Sequence, residues 1–198
     1  MTIFVGLALA VVLVLALGGD LRKIGSIQLH GKPLIIGAFV LQLVIVTIAP
    51  NTFSHRVASG IHLASYGLAI LFLYTNRNLP NLWIAALGGA CNFAAIAANG
   101  GTMPASRTAL AAAGIQEKGG FDNSAAVAHA KLAFLGDVFS FPKWFPLANV
   151  FSVGDLLLLL GAAAMLAGIC GVPRWPALDR LLSGRRRPVV LRSAAIRR

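Results

Sequence analysis

Five polar side chains, Gln42, His62, Tyr66, Asn92 and Asn99, stand in or at the end of stretches otherwise made almost wholly of aliphatic, aromatic and small residues. An amide, an imidazole or a phenol taken out of water needs hydrogen-bond partners, and leaving one unsatisfied is costly. Such residues therefore mark a place where a ligand is held or a place where helices are tied together. On a helix, His62 and Tyr66, four residues apart, share a face, and so do Asn92 and Asn99, seven apart. Asn99 runs straight into Gly100 and Gly101, and further on come Asp137, Asn149, Ser152 and Asp155.

Two chemistries fit this set. In the first, His62, Tyr66, Asn92, Asn99, Gly100, Gly101, Asp137, Asn149, Ser152 and Asp155 bound a polar pocket for a small molecule, a lipid headgroup or a segment of a partner. In the second, His62, Tyr66, Asn92 and Asn99 make interhelical hydrogen bonds, each worth about 0.6–2 kcal/mol. Catalysis has less to build on, and no catalytic residue is assigned. Asp137 and Asp155 have the residue type of the carboxyl pair that shares a proton in aspartyl proteases, but neither lies inside an apolar run. Ser152-Val153-Gly154-Asp155 has the spacing of a helix capping box, which gives Asp155 a structural duty at the positive end of a helix. A haem or pigment would have His62 as its one axial histidine within a span. No nucleophile–base–acid spacing stands out, no metal-ligand set is present, and no cofactor is identified.

The elements that must position these residues follow from composition. The chain of 198 residues is 58% hydrophobic and 12% charged, with a mean hydropathy of +0.80, whereas soluble domains carry about 25% charge. Charged residues are absent from 1–19, 33–55, 57–76, 78–106 and 156–173. A helix needs about 20 mainly apolar residues to cross roughly 30 Å of hydrocarbon. Five spans are therefore expected, at 2–17, 33–49, 57–75, 82–98 and 155–171, in an all-α integral membrane bundle. The domain takes in 1–171, and 172–198 is a basic tail. Residues 1–4 hold no Lys or Arg, so the first run lacks the basic start of a signal peptide and is expected to be retained.

A formal charge of +11 would suggest nucleic acid for a soluble protein; here it sorts by loop and no nucleic-acid partner is expected. Arg22, Lys23, Lys32, Arg77 and eight tail arginines fall on one side, twelve in all, against five (Arg56, Arg107, Lys118, Lys131 and Lys143) on the other. Cytoplasmic loops are the basic ones. The N-terminus is thus expected outside and the C-terminus inside. Trp83 and Trp175 then lie at the inner boundary and Trp144 at the outer, the depth such rings favour. In the tail, Arg185, Arg186, Arg187 and Arg192 are expected to meet anionic headgroups, at about 1 kcal/mol per residue. Cys91 and Cys170 sit in apolar runs and form no disulfide framework.

The outer segment, 99–154, is too long for a bare turn. Two short helices are expected in it, at 106–113 and 124–135, separated by Lys118-Gly119-Gly120, lying on the bilayer surface or folded down as a lid over the polar set. The Phe141-Pro142 and Phe145-Pro146 steps predict extended chain. Small residues at four-residue intervals, Ala86, Ala90, Ala94 and Ala98, then Ala163, Ala167 and Gly171, predict close helix approach within the bundle or against a protein partner in the membrane.

Asn99-Gly100-Gly101-Thr102-Met103-Pro104, Phe134-Leu135-Gly136-Asp137 and Asn149-Val150-Phe151-Ser152-Val153-Gly154-Asp155, in this order, resemble a bacterial family of polytopic membrane proteins known only as a domain of unknown function. The likeness includes Gly18-Gly19-Asp20-Leu21-Arg22, His62-Leu63-Ala64-Ser65-Tyr66 and Asn76-Arg77-Asn78-Leu79-Pro80. It reaches nearly to residue 172, departs between Met103 and Leu135, and leaves the arginine tail as an addition. The resemblance implies a helical bundle in a bacterial cytoplasmic membrane, and no activity. The function expected is a non-catalytic binding or assembly component with an outward-facing polar pocket. The alternatives are a transporter or channel component and a haem- or pigment-binding subunit using His62.

Overall fold

The computed structural model describes residues 2–48, 52–116 and 124–172. The five apolar runs are helices: α1 (Thr2–Ala16), α2 (Lys32–Thr47), α3 (His55–Thr75), α4 (Leu82–Ala98) and, after the outer segment, α6 (Val153–Cys170). Their limits are set by local chemistry. Pro33 opens α2, where a missing N–H costs nothing. Asn81, with φ 59°, opens α4. Asn76 and Asn99 end α3 and α4. Gly171, with φ 68°, takes the left-handed conformation that closes α6.

The helices alternate in direction. At one end, here called inner after the orientation expected from the charges, the Asp20 N–H donates to the Cys170 carbonyl (2.9 Å). There too the Asn81 amide donates to the Ala164 carbonyl (2.9 Å), and Asn76 holds His30. A 3₁₀ turn (Leu21–Ser26) lies in the same region, capped by Asp20. The outer end carries residues 99–116 and 124–152.

Packing divides the bundle in two. α2 lies along α3, while α4 lies along α6, with α1 against the far side of α6; α3 and α4 join the two parts through a smaller contact. The α4–α6 approach runs through Ala85, Gly88, Gly154 and Gly161. A Cβ on Gly88 would stand 2.6 Å from the Gly154 carbonyl oxygen, and one on Gly161 or Gly154 would overlap Ala85 or Asn92. This seam differs from the expected stripe at Ala86 and Ala90, which instead border a cavity. On a helix made of small residues all round, composition does not reveal which face is used.

The outer segment holds one helix of the two expected, α5 (Arg107–Ala113), packed through Ala109, Leu110 and Ala113 on Val150. The second is corrected. Ser124–Ala125 is a strand (β2) paired in parallel with Met103–Pro104 (β1), and only Ala133–Leu135 makes a 3₁₀ turn. His129 (φ 53°) and Leu132 (φ 51°) adopt left-handed backbone that no α-helix admits, so alanine content alone does not build a helix there. Phe141 ends a strand, β3 (Phe139–Phe141), antiparallel to β4 (Asn149–Phe151). Phe145 lies in a turn, its N–H donating to the Pro142 carbonyl (2.8 Å), not in extended chain.

Large apolar side chains cover much of the outside, and polar ones are buried beside the apolar core. Leu9 and Phe39 are each 63% exposed and Trp83 is 67% exposed, while His62, Ser65, Asn92, Thr102, Asp137 and Ser152 are buried. α3 and α6 are each long and apolar enough to cross a membrane; Val5–Ala16, Lys32–Ile45 and Leu82–Ala98 are shorter apolar helices.

Candidate functional site

α3 presents a polar stripe at helical spacing: His55, Ser59, His62, Ser65 and Tyr66. His62 is 1% exposed. Its Nδ1 lies 2.7 Å from the Gly101 carbonyl oxygen, and since a carbonyl only accepts, Nδ1 carries the proton. Gly101 is at φ +95°, and a Cβ there would run into Ser59, so glycine is required both for the turn and for the approach. The His55 ring reaches Ser59 Oγ (3.3 Å) with Nδ1 and Thr102 Oγ1 (3.4 Å) with Nε2. Below, Gln42 of α2 donates to Ser65 Oγ (2.8 Å), which donates to the His62 carbonyl (2.6 Å). Tyr66 stands between His62 and Phe93, with ring centroids 5.6 and 5.9 Å away.

A second group ties α4 to α6. Ser152 Oγ accepts from the Asp155 N–H (2.9 Å), and the Asp155 carboxylate accepts from the Ser152 N–H (3.0 Å), which is the capping box expected from the spacing. Asn92 completes it from the neighbouring helix. Its amide donates to Asp155 Oδ1 (2.8 Å), and its oxygen accepts from Ser152 Oγ (2.8 Å). Two side chains that serve a helix end are thereby turned into an interhelical clasp.

A third group fixes the outer segment. Asn99 grips one residue by both backbone groups, accepting from the Lys131 N–H (2.9 Å) and donating to the Lys131 carbonyl (2.7 Å). Asp137, 6% exposed, extends the β1 pairing: its N–H donates to the Pro104 carbonyl (2.9 Å), and its carbonyl accepts from the Ser106 N–H (3.0 Å). Its carboxyl accepts from the Ser124 hydroxyl. Burial pushes that carboxyl up to about 6; the Ser124 hydrogen bond opposes this and the Asp155 charge adds to it.

Eight of the ten expected site residues thus fall into three adjoining groups: His62, Tyr66 and Gly101; Asn92, Ser152 and Asp155; Asn99 and Asp137. Asn149 stands apart, paired with Phe141 in the hairpin, and Gly100 is an exposed turn residue at φ +68°. Of the ten, Tyr66 borders the larger cavity, of about 810 Å³. A smaller one, about 430 Å³, lies within the outer segment against Pro104, Ala130 and Phe134. Arg185, Arg186, Arg187 and Arg192 lie outside the described residues.

Sequence reasoning missed His55, Ser59, Ser65, Thr102 and Ser124. The first three were findable, since they continue the face of His62 at steps of three and four. Thr102 and Ser124 enter through turn and strand geometry that has no period. Ser59 beside His55 is the nearest approach to a nucleophile–base pair described here, yet Ser59 is covered by Gly101. What the seam does chemically is hold helices and the outer segment in fixed relation.

Among curated proteins and solved structures, nothing matches the chain. A family model does, over residues 26–167, which include the whole seam and begin after the Gly18–Arg22 turn; the chain belongs to the Family of unknown function (DUF5317).

Proposed function

We propose that the chain is a five-span α-helical protein of a bacterial cytoplasmic membrane, N-terminus outside, acting as a non-catalytic binding or assembly component through its outer segment. The observation that carries this reading is the extent of large apolar side chains on the outside, with polar ones buried within. Water would penalise a surface of Leu9, Phe39 and Trp83 around a core of His62, Asn92 and Asp137. In lipid the outer surface costs nothing, and the core supplies the hydrogen bonds that hold helices together. At about 1.5 Å per residue the 15 residues of α1 cover about 22 Å, so the shorter helices need thinned bilayer or polar flanks.

Binding or assembly is favoured over turnover because the seam's polar groups are spent on one another, which fixes α5 and the paired segments as a formed outer surface. Anionic headgroups at the arginine tail complete the proposed contacts. Membranes washed with alkaline carbonate should retain the chain, and protease added to intact cells should spare the tail. Gentle-detergent purification at native expression should bring down a constant partner. Release by carbonate would overturn the membrane placement, and recovery as a lone, colourless monomer would overturn the assembly role.

A further inference from the structure

The cavity of about 810 Å³ lies at the inner end, where α3 parts from α4 and α6. Its volume is within the roughly 300–1,000 Å³ of ligand sites. Its walls are apolar, and a Cβ on Gly89 would meet no atom within 4 Å. Arg77, Tyr74 and Trp83 stand at one end and Tyr66 at the other. Tyr66 on α3 and Arg77 just past its end are eleven residues apart, or about 16 Å at helical rise, roughly half of the 30 Å hydrocarbon thickness. The groove therefore has the depth of one leaflet. Beyond Tyr66 it is closed by His62 on Gly101. A helix from a second copy would need a groove through both leaflets; an acyl chain needs one.

The mouth adds charge. The Arg77 guanidinium lies 4.7 Å from the Tyr74 ring centroid and donates to the Tyr74 carbonyl (3.3 Å). Among the described residues the one ion pair is Asp20 with Arg22, and no described carboxylate pairs with Arg77. A guanidinium offers a planar fork that fits phosphate oxygens. A zwitterionic headgroup would bring an ammonium beside it; an anionic one would not.

We propose that this groove holds an anionic phospholipid of the inner leaflet, its acyl chain along Gly89 and its phosphate on Arg77. The proposal rests on the membrane reading above. The test uses the full chain with Trp144→Phe and Trp175→Phe, leaving Trp83 as the sole tryptophan, in phosphatidylcholine vesicles doped with lipid brominated on its acyl chain. Brominated phosphatidylglycerol should quench Trp83 at about fivefold lower mole fraction than brominated phosphatidylcholine, the preference one basic residue gives. Arg77→Gln should erase that preference and keep the quenching. Equal quenching by both lipids in the Arg77 chain, or a preference that survives Arg77→Gln, overturns the assignment while leaving Trp83 in hydrocarbon. Quenching by neither lipid overturns the membrane reading, and the lipid site with it.

Discussion

At the outer end, α3 meets α4 through His62 on Gly101 and through Tyr66 against Phe93, and the outer segment is pinned across the top by Asn99. At the inner end the same two helices part around a cavity lined by Ala86, Gly89 and Leu158. The contrast teaches what closes a bundle whose faces are uniformly apolar. Where lipid is the solvent, apolar contact gives little preference for helix over lipid, and hydrogen bonds and backbone proximity decide. The outer half has the hydrogen bonds and α4–α6 has the proximity. Toward α4, inner α3 has neither, and the two stay apart.

The sharpest way to break this comparison uses two adjacent glycines. Gly88 faces the Gly154 carbonyl and the Leu158 N–H, 2.6 and 2.7 Å from where a Cβ would sit, and backbone there has no room to yield. Gly89 faces the cavity. Gly88→Ala should cost about 3 kcal/mol or more, at the high end for overpacking. Gly89→Ala should be neutral or stabilise by up to about 1 kcal/mol through helix propensity. Thermal unfolding of both variants in the same detergent decides it; equal stabilities would erase the distinction between a closed and an open face.

Next in size is the effect of pH on the outer segment. The Asp137 carboxyl is raised from the ordinary carboxylate range to about 6. Between the unfolded and folded values the folded chain binds more protons, so stability is full at acid pH, falls as pH rises, and levels off above about 6. At about 1.36 kcal/mol per pKa unit the loss is at most about 3 kcal/mol. Asp137→Asn keeps an acceptor for Ser124 without charge, so it should abolish that slope and protect 124–138 above neutrality. Hydrogen exchange at about pH 5 and about pH 8, on either side of the folded value, measures it. A slope unchanged in the variant would mean that another group titrates.

The two ends were not equally legible in the sequence. All five long helices lie within two residues of the ranges expected from apolar length, because a hydrophobic run bounded by charge or by Asn, Gly and Pro carries its own limits. The Ser152–Asp155 capping box was legible for the same reason: it is local. That Asn92 would join it was not, since the partner lies sixty residues away and no spacing records it. The strands of two and three residues are too short for a period, and the residues expected as a helix after 124 were drawn into pairing by Met103–Pro104. The cavity was invisible because Gly89 reads the same as Gly88 until the neighbouring helix is placed.

The smallest effect sharpens the comparison most finely, because both ends use one device. Asn76 ends α3 at the inner end, accepts from the His30 N–H (2.9 Å) and donates to the His30 carbonyl (2.8 Å). Asn99 ends α4 at the outer end and does the same to Lys131. Each replacement by alanine removes the two hydrogen bonds to the facing loop, worth about 1 kcal/mol each, beside those made to its own helix. Their surroundings differ: Asn76 is buried, whereas Asn99 is half-buried and water reaches the groups it leaves behind. Asn76→Ala should therefore cost about 2 kcal/mol of global stability, and Asn99→Ala about 1 kcal/mol, the latter expressed locally as faster exchange at the Lys131 N–H. If Asn99→Ala instead lowered global stability as much as Asn76→Ala, the outer segment would be a structural part of the bundle on equal terms with the inner loop. A partner could not then be reading a separately held surface.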